Sequence, residues 1–289
     1  MTTAANATSA TDLQKQLDAP FHLTEQQIRF YQERGYIKLK HVLAPELLIH
    51  FRTIISARVA ELSADTLPLE QRSTYGKAFL QIMNLWTRSP EVKQFAFGKR
   101  LARIAAELMS VSGVRIYHDQ ALYKEAGGGI TPWHADQYYW PVDSSNTITA
   151  WIPLQDTPNE MGPLAFCENS HKFAVGRELE ISDESEATLS RSLKQFKVEE
   201  SAFDLGDVSF HSGWIFHRAG ANSTDKPREV MTVIYMDENI RVTAPKNKNH
   251  VADLERWAPG LEPGSVLSSA LNPVLYSAHV ARSADSDLN

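Results

Sequence analysis

From residue 114 onward the chain is cut into short runs, alternating or wholly apolar, by glycine, proline, asparagine and aspartate. GVRIYHDQALYKE, TITAWIPLQD, GPLAFCENS, SAFDLGDVSFHSG, WIFHRAG and REVMTVIYMDE follow one another in this way. Strands at such spacing argue for a β-sandwich or barrel core, and they leave little room for a helical one. One charged, helix-leaning stretch from about 174 to 200 interrupts them and reads as an insertion between strands.

The first part of the chain has a different texture. LTEQQIRFYQERGY carries a capping box, Thr24 with Gln27, and stops at Gly35, which predicts a short helix. YIKLKHVL alternates as a strand. PELLIHFRTIISARVAEL has Pro45 near a helix N-terminus and apolar residues from Leu48 to Leu62 at helical spacing. PEVKQFAFGKRLARIAAELMS predicts one further amphipathic helix. The expected fold is therefore mainly β with flanking helices. It comprises a helical part to about 112, a β core over about 113–240 and a C-terminal extension, all in one domain spanning 21–275. Residues 1–20 and 276–289 read as mobile tails.

Composition narrows the function classes. With 289 residues, 43% of them hydrophobic, there is ample core; with a net charge of −6 and no basic cluster, nucleic acid is an unfavoured partner. No segment approaches the ~20 apolar residues of a membrane span. The lone Cys167, in the apolar run LAFC, reads as a small buried residue and suits a cytoplasmic location.

WHADQYYW raises the question of chemistry. If His134 and Asp136 lie on a strand, they project from one face and can share a metal ion, given a third ligand. His22, His41, His50, His250 and His279 read as surface or packing residues, and His171 as a residue that caps or lines a site. His211 and His217, in GDVSFHSGWIFHRAGAN, are the candidates for the third ligand. Arg228 opens an apolar run eleven positions after His217, and a guanidinium there requires an anionic partner. Two histidines and a carboxylate with open positions form the facial triad of non-haem Fe(II) oxygenases.

The chain resembles the phytanoyl-CoA dioxygenase family of Fe(II)/2-oxoglutarate oxygenases. The likeness runs over LTEQQIRFYQERGYIKLKHVL, YKEAGGGITPWHAD, NEMGPLAFCENSHK and GDVSFHSGWIFHRAGANSTDKPRE. It implies a double-stranded β-helix (jelly roll, cupin-like), iron held by His134, Asp136 and His217, and Arg228 pairing with the distal carboxylate of 2-oxoglutarate. It also implies cosubstrate contacts from Gln120, Trp140 and Trp151, and places Thr131 either against a cosubstrate carboxylate or facing the substrate. Many relatives have a hydroxyl residue two after the distal histidine; Ala219 stands there, so Thr149, another group or water must replace it. His211 then reads as a residue supporting the ligands or packing near them. Halogenating relatives have a small residue in place of the carboxylate, so Asp136 favours hydroxylation or a related oxidation.

The implied reaction consumes O2 and 2-oxoglutarate, releases succinate and CO2, and oxidises a C–H bond. Gln81, Asn84 and Trp86 in FLQIMNLW, with His118, Tyr138 and Tyr139, are the candidate substrate contacts, and FLQIMNLW, outside the β core, is expected to lid the site, the alternative being that it only covers one end of the barrel. Their mixture of aromatic and amide groups suits a mid-sized small molecule such as a natural-product intermediate. No Lys/Arg cluster for CoA phosphates stands out, although Lys93, Lys99 and Arg100 are available to converge. Desaturation, epimerisation or ring rearrangement remain open outcomes of the same chemistry. A non-catalytic, cupin-like metal or ligand binder is the alternative from another class. Oligomeric state is not legible.

Overall fold

A computed structural model describes residues 9–278. Eight helices occur among them: α1 (Ala10–Asp18), α2 (Glu25–Arg34), α3 (Pro45–Leu62), α4 (Thr74–Ala78), α5 (Pro90–Ala96), α6 (Lys99–Met109), α7 (Asp183–Ser192) and α8 (Lys248–Trp257). The strands are β1 (Tyr36–Leu39), β2 (Leu80–Met83), β3 (Gly113–Lys124), β4 (Thr131–His134), β5 (Thr147–Pro153), β6 (Leu164–Cys167), β7 (Val198–Glu200), β8 (Val208–Ser212), β9 (His217–Ala219), β10 (Arg228–Asp237) and β11 (Val274–Ser277).

Two antiparallel sheets form the jelly-roll core. The larger runs β1-β8-β5-β10-β3-β11, with β2 also paired to β3; the smaller runs β4-β9-β6-β7. β1 comes from the helical N-terminal part and β11 from the C-terminal extension, so all three regions of the chain share one sheet. The main apolar core lies where α3, α5 and α6 cover the large sheet, with Phe51, Phe95, Ile104 and Phe210 fully buried. Among the described residues no helix is long and apolar enough to cross a membrane.

Local signals account for much of this. Thr24 and Gln27 form the reciprocal capping box, and Gly35 ends α2 at φ 83°. Other expectations need correction. The supposed tail over 1–20 contains α1, capped by Ser9 and buried through Leu13 and Leu17; residues 1–8 lie outside the described ones. At the other end, β11 enters the stretch expected as tail, and 279–289 lie outside the described residues. The single helix expected over PEVKQFAFGKRLARIAAELMS is two, α5 and α6, broken at Phe97 and Gly98. Gly98 sits against Leu17 of α1, where an added Cβ would be 3.2 Å from a main-chain oxygen.

FLQIMNLW is not a cover outside the β core. Its Leu80–Met83 stretch is β2, in register with β3 from Leu80 opposite Tyr123 to Met83 opposite Gln120. The insertion at 174–200 does contain a helix. It is α7, whose Glu186 carboxylate accepts from the main-chain N–H of Trp133 at 2.7 Å and so braces β4.

Candidate active site

His134 is the last residue of β4 and His217 the first of β9, and the two are directly opposed in the ladder. Their ring centroids are 4.2 Å apart. Ala135 continues extended, but Asp136 begins a 3-10 turn, Asp136–Tyr139, and is not on the strand as the spacing predicts. The chain leaves the sheet because the Gln137 N–H donates to the Gly213 carbonyl at 2.9 Å. Only glycine allows that approach: a Cβ on residue 213 would lie 2.3 Å from the Thr147 hydroxyl and 2.8 Å from the Gln137 amide oxygen.

The donor set fits a metal ion. One atom from each of His134, Asp136 and His217 lies within 4.8 Å of the others. The His134 and His217 Nε2 atoms are 3.6 and 3.7 Å from Asp136 Oδ1, too far to be hydrogen bonds and spaced for a shared cation. Nδ1 of His134 lies 2.7 Å from the Pro132 carbonyl, and Nδ1 of His217 lies 3.2 Å from that of Ile215. Each Nδ1–H thus donates to main chain, leaving the Nε2 lone pair for a ligand bond. Burial, then the charge of His134, holds His217 well below the usual imidazole value, which keeps it neutral. Burial opposes the charge on Asp136, but His217, His134 and His211 outweigh it and hold the carboxyl well below its usual range.

The second Asp136 oxygen is also engaged. It accepts from the Thr149 hydroxyl at 3.0 Å and lies 3.3 Å from His211 Nε2. His211 therefore stands behind the carboxylate, outside the triad. Thr149, expected as a cosubstrate contact, is instead bonded to Asp136.

Arg228, the first residue of β10, is 1% exposed. One guanidinium nitrogen donates to the Gly162 carbonyl, and the group lies 5.4 Å from the Trp151 ring centre. Its Nε has no hydrogen-bond partner, and among the described residues no carboxylate pairs with it. Burial lowers its pKa to about 9. Gly162, at φ 67°, can present that carbonyl because it packs against Gly220, where any Cβ would meet the Gly220 oxygen at 2.2 Å.

The triad and Arg228 face one cavity of about 230 Å3. Gln120, Thr131, Thr149 and Trp151 line it with them, and Gln81, His118, Tyr139 and Trp140 line it too. His118 is buried, its Nδ1 is unpartnered, and burial lowers its pKa to about 4. Three expected substrate contacts do not line this cavity. Asn84 turns the chain away from β2 at φ 48°, and its side-chain oxygen accepts from the Trp86 indole at 3.1 Å. Trp86 packs on Phe97, 4.9 Å between ring centres, on the helical side. Tyr138 points to a separate groove beside Arg177 and Trp214.

Other lining residues were not anticipated. Tyr75, Phe79 and Met83 come from around β2, and Asn249, Ala252, Asp253, Arg256 and Trp257 come from α8. The α8 set recurs at helical spacing in KNHVADLERW, which marked a one-sided helix but not what that side covers. His250, expected as an isolated surface or packing residue, docks α8: its Nε2 lies 2.8 Å from the Tyr138 carbonyl. His171 lies under Gly35, away from the cavity.

The phytanoyl-CoA dioxygenase family model matches residues 31–230. The phytanoyl-CoA dioxygenase domain-containing protein 1 of Danio rerio is 22% identical over 275 residues, covering 78% of this chain and 94% of that protein. A 1-deoxypentalenic acid 11-beta-hydroxylase of Streptomyces exfoliatus is 25% identical over 221 residues, covering 69% and 75%. Among solved structures, the non-heme alpha-ketoglutarate-dependent carbocyclase SnoK from nogalamycin biosynthesis superposes with a TM-score of 0.74 at 25% identity, covering 89% of this chain and 100% of that one. With a His-Asp-His site at the heart of a jelly roll, the chain belongs to the phytanoyl-CoA dioxygenase family and is an Fe(II)- and 2-oxoglutarate-dependent oxygenase.

Proposed function

We propose that this enzyme oxidises, by hydroxylation, one C–H bond of a mid-sized, partly aromatic or apolar small molecule of the natural-product kind. The observation that carries the reading is that one cavity is lined both by the triad with a buried guanidinium that has no carboxylate partner and by aromatic walls with a few polar groups. When bound, Fe(II) with 2-oxoglutarate and O2 supplies an oxidant able to take hydrogen from an unactivated carbon, with release of succinate and CO2.

The chain's own residues do the rest. His134, Asp136 and His217 hold the iron, and Thr149 and His211 hold Asp136. Arg228 fixes the distal carboxylate of 2-oxoglutarate by a charge-assisted contact in a water-poor site. Thr131, Gln120 and the Trp151 and Trp140 faces shape the cosubstrate's space. Tyr75, Phe79, Tyr139 and Trp257 form the wall on which a substrate ring or chain can lie, and His118, Gln81 and Asn249 offer it hydrogen bonds. Holding one carbon near the metal and excluding water is the protein's main contribution.

A CoA thioester finds no support in the placement of cations. Arg100 donates to the Ala19 and Val42 carbonyls, and Lys93 lies over Trp86. A second reading, ring closure or rearrangement, draws on the similarity to SnoK, which is a carbocyclase. A cupin-like binder would leave the buried Arg228 without a purpose. A reducing cytoplasm suits both Fe(II) and the buried Cys167. Screening a panel of polycyclic and terpenoid metabolites for substrate-dependent succinate release tests the reading. A product heavier by one oxygen is expected. A product lighter by two hydrogens favours ring closure, and no succinate with any of them counts against the proposed substrate class.

A further inference from the structure

Lys124 is the last residue of β3 and is fully buried. Its partner across the ladder is Arg228, which is buried as well. Two neighbouring cations in an interior are costly, since each loses hydration and the pair repels. The acids adjacent in sequence are engaged elsewhere: Glu125 pairs with Arg72, and Glu229 pairs with Arg52. The amine of Lys124 donates to the Gly129 carbonyl and lies 3.4 Å from the Thr131 hydroxyl on β4. Arg228 on β10 is the charged group that acts on it, and none of these neighbours is negative. Burial, then the charge of Arg228, brings the Lys124 pKa down to about 6, so the amine is mostly neutral at neutral pH.

Thr131 and Arg228 both line the cavity, and Lys124 meets it through the Thr131 hydroxyl. We propose that Lys124 is a positioning residue for the cosubstrate: it orients the Thr131 hydroxyl and supplies, beside Arg228, a second positive charge for the carboxylate that docks there. The proposal rests on reading Arg228 as the 2-oxoglutarate anchor. It adds a consequence that an arginine alone does not have. An incoming carboxylate offsets the repulsion between the two cations and favours the protonated amine, so cosubstrate binding takes a proton from solvent. The sign follows from the direction of the change. The amine begins at about 6 and moves back toward the ordinary lysine value of 10.5, so uptake occurs above about pH 6. In that window affinity for 2-oxoglutarate falls as pH rises, by up to about tenfold per pH unit.

Calorimetric titration of 2-oxoglutarate into anaerobic, Fe(II)-loaded protein, in buffers of differing ionisation heat at about pH 7.5, reads this directly. Wild type is expected to take up close to one proton per molecule bound. Lys124→Met should fold normally, because it replaces a buried and mostly neutral amine. It should bind about tenfold more weakly or worse and take up no proton. Lys124→Arg should restore affinity without the pH dependence, and Thr131→Val should weaken binding while keeping the proton uptake. Unchanged affinity in Lys124→Met, or proton uptake equal to wild type in that variant, overturns the proposal. Failure of the wild-type protein to bind 2-oxoglutarate at all overturns both this proposal and the cosubstrate reading; failure confined to the lysine predictions leaves Arg228 standing.

Discussion

Each triad histidine spends its Nδ1 proton on a main-chain carbonyl two residues earlier, so the local backbone itself selects the tautomer that binds metal. Because the β core does not depend on the ion, His134→Ala, Asp136→Ala and His217→Ala should each lose bound iron and succinate production with the fold intact, as metal analysis and circular dichroism would show. His211→Ala should retain iron at about 10–100-fold weaker affinity, since it supports the carboxylate without being in the triad. The reverse order for His211 and His217 would refute the assignment. Arg228→Ala removes one side of a buried charge pair, a loss of about 3–5 kcal/mol, so the 2-oxoglutarate dissociation constant should rise by about two to four orders of magnitude. Arg228→Lys should recover only part of this, because an ammonium lacks the planar fork. These residues were legible because their chemistry is rare: H-x-D before an apolar run, a distant histidine and an arginine in an apolar strand have few common uses. Thr149 was less legible. The resemblance offered it, another group or water as the replacement for the hydroxyl missing at Ala219, but a sequence does not say which of two carboxylates, the protein's or the cosubstrate's, a hydroxyl meets.

At the level of elements, the seam between β2 and β3 divides function from support within a few residues. Alternation along β2 sends Gln81 and Met83 into the cavity and Leu80 and Ile82 toward the main core. At Asn84 the alternation ends, and the Asp119 carboxylate receives the Leu85 and Trp86 N–H groups at 2.7 and 3.0 Å. Asn84→Ala and Trp86→Ala should therefore lower the melting temperature, costing about 1 kcal/mol and about 1–3 kcal/mol of stability respectively, and leave substrate KM unchanged. Kinetic defects without destabilisation would return them to the cavity. Burial raises the Asp119 pKa from 3.8 to about 7, against the pull of those two N–H donors. A raised carboxyl contributes stability that is full below its unfolded value and lost as pH rises through about 7. Wild type should therefore gain stability relative to Asp119→Asn as pH falls from about 8 to about 5; parallel melting curves across that range would argue against it. The strand runs of the core were readable from their punctuation, because each break is a local event. β2 was not, because FLQIMNLW is mostly apolar without polar–apolar alternation, and only pairing with β3 makes it a strand.

For the molecule as a whole, one sheet collects strands from the N-terminal region, the core and the C-terminal extension, so unfolding should be cooperative and linked to the site. Fe(II) with 2-oxoglutarate at about a hundred times the dissociation constant should stabilise the native state by about 2.7 kcal/mol. A chelator should remove that increment and leave a folded protein, measurable as a drop in melting temperature with unchanged circular dichroism. A β-sandwich or barrel was visible in the strand runs and the family resemblance implied the jelly roll, but the α8 wall of the cavity was not visible, because nothing in KNHVADLERW states what its inner side will cover. That wall has a consequence of its own. α8 lies beyond the segment that the family model matches, is fixed to the core through His250 and Asn249 at Tyr138 and through Asp253 at Tyr117, and contributes no iron ligand. Part of the cavity wall is thus written outside the stretch that carries the triad. Exchange of α8 alone can reshape that part of the wall while β11 keeps its place beside β3, which makes this one helix the place where a lineage of such oxygenases, or an engineer, can try new molecules.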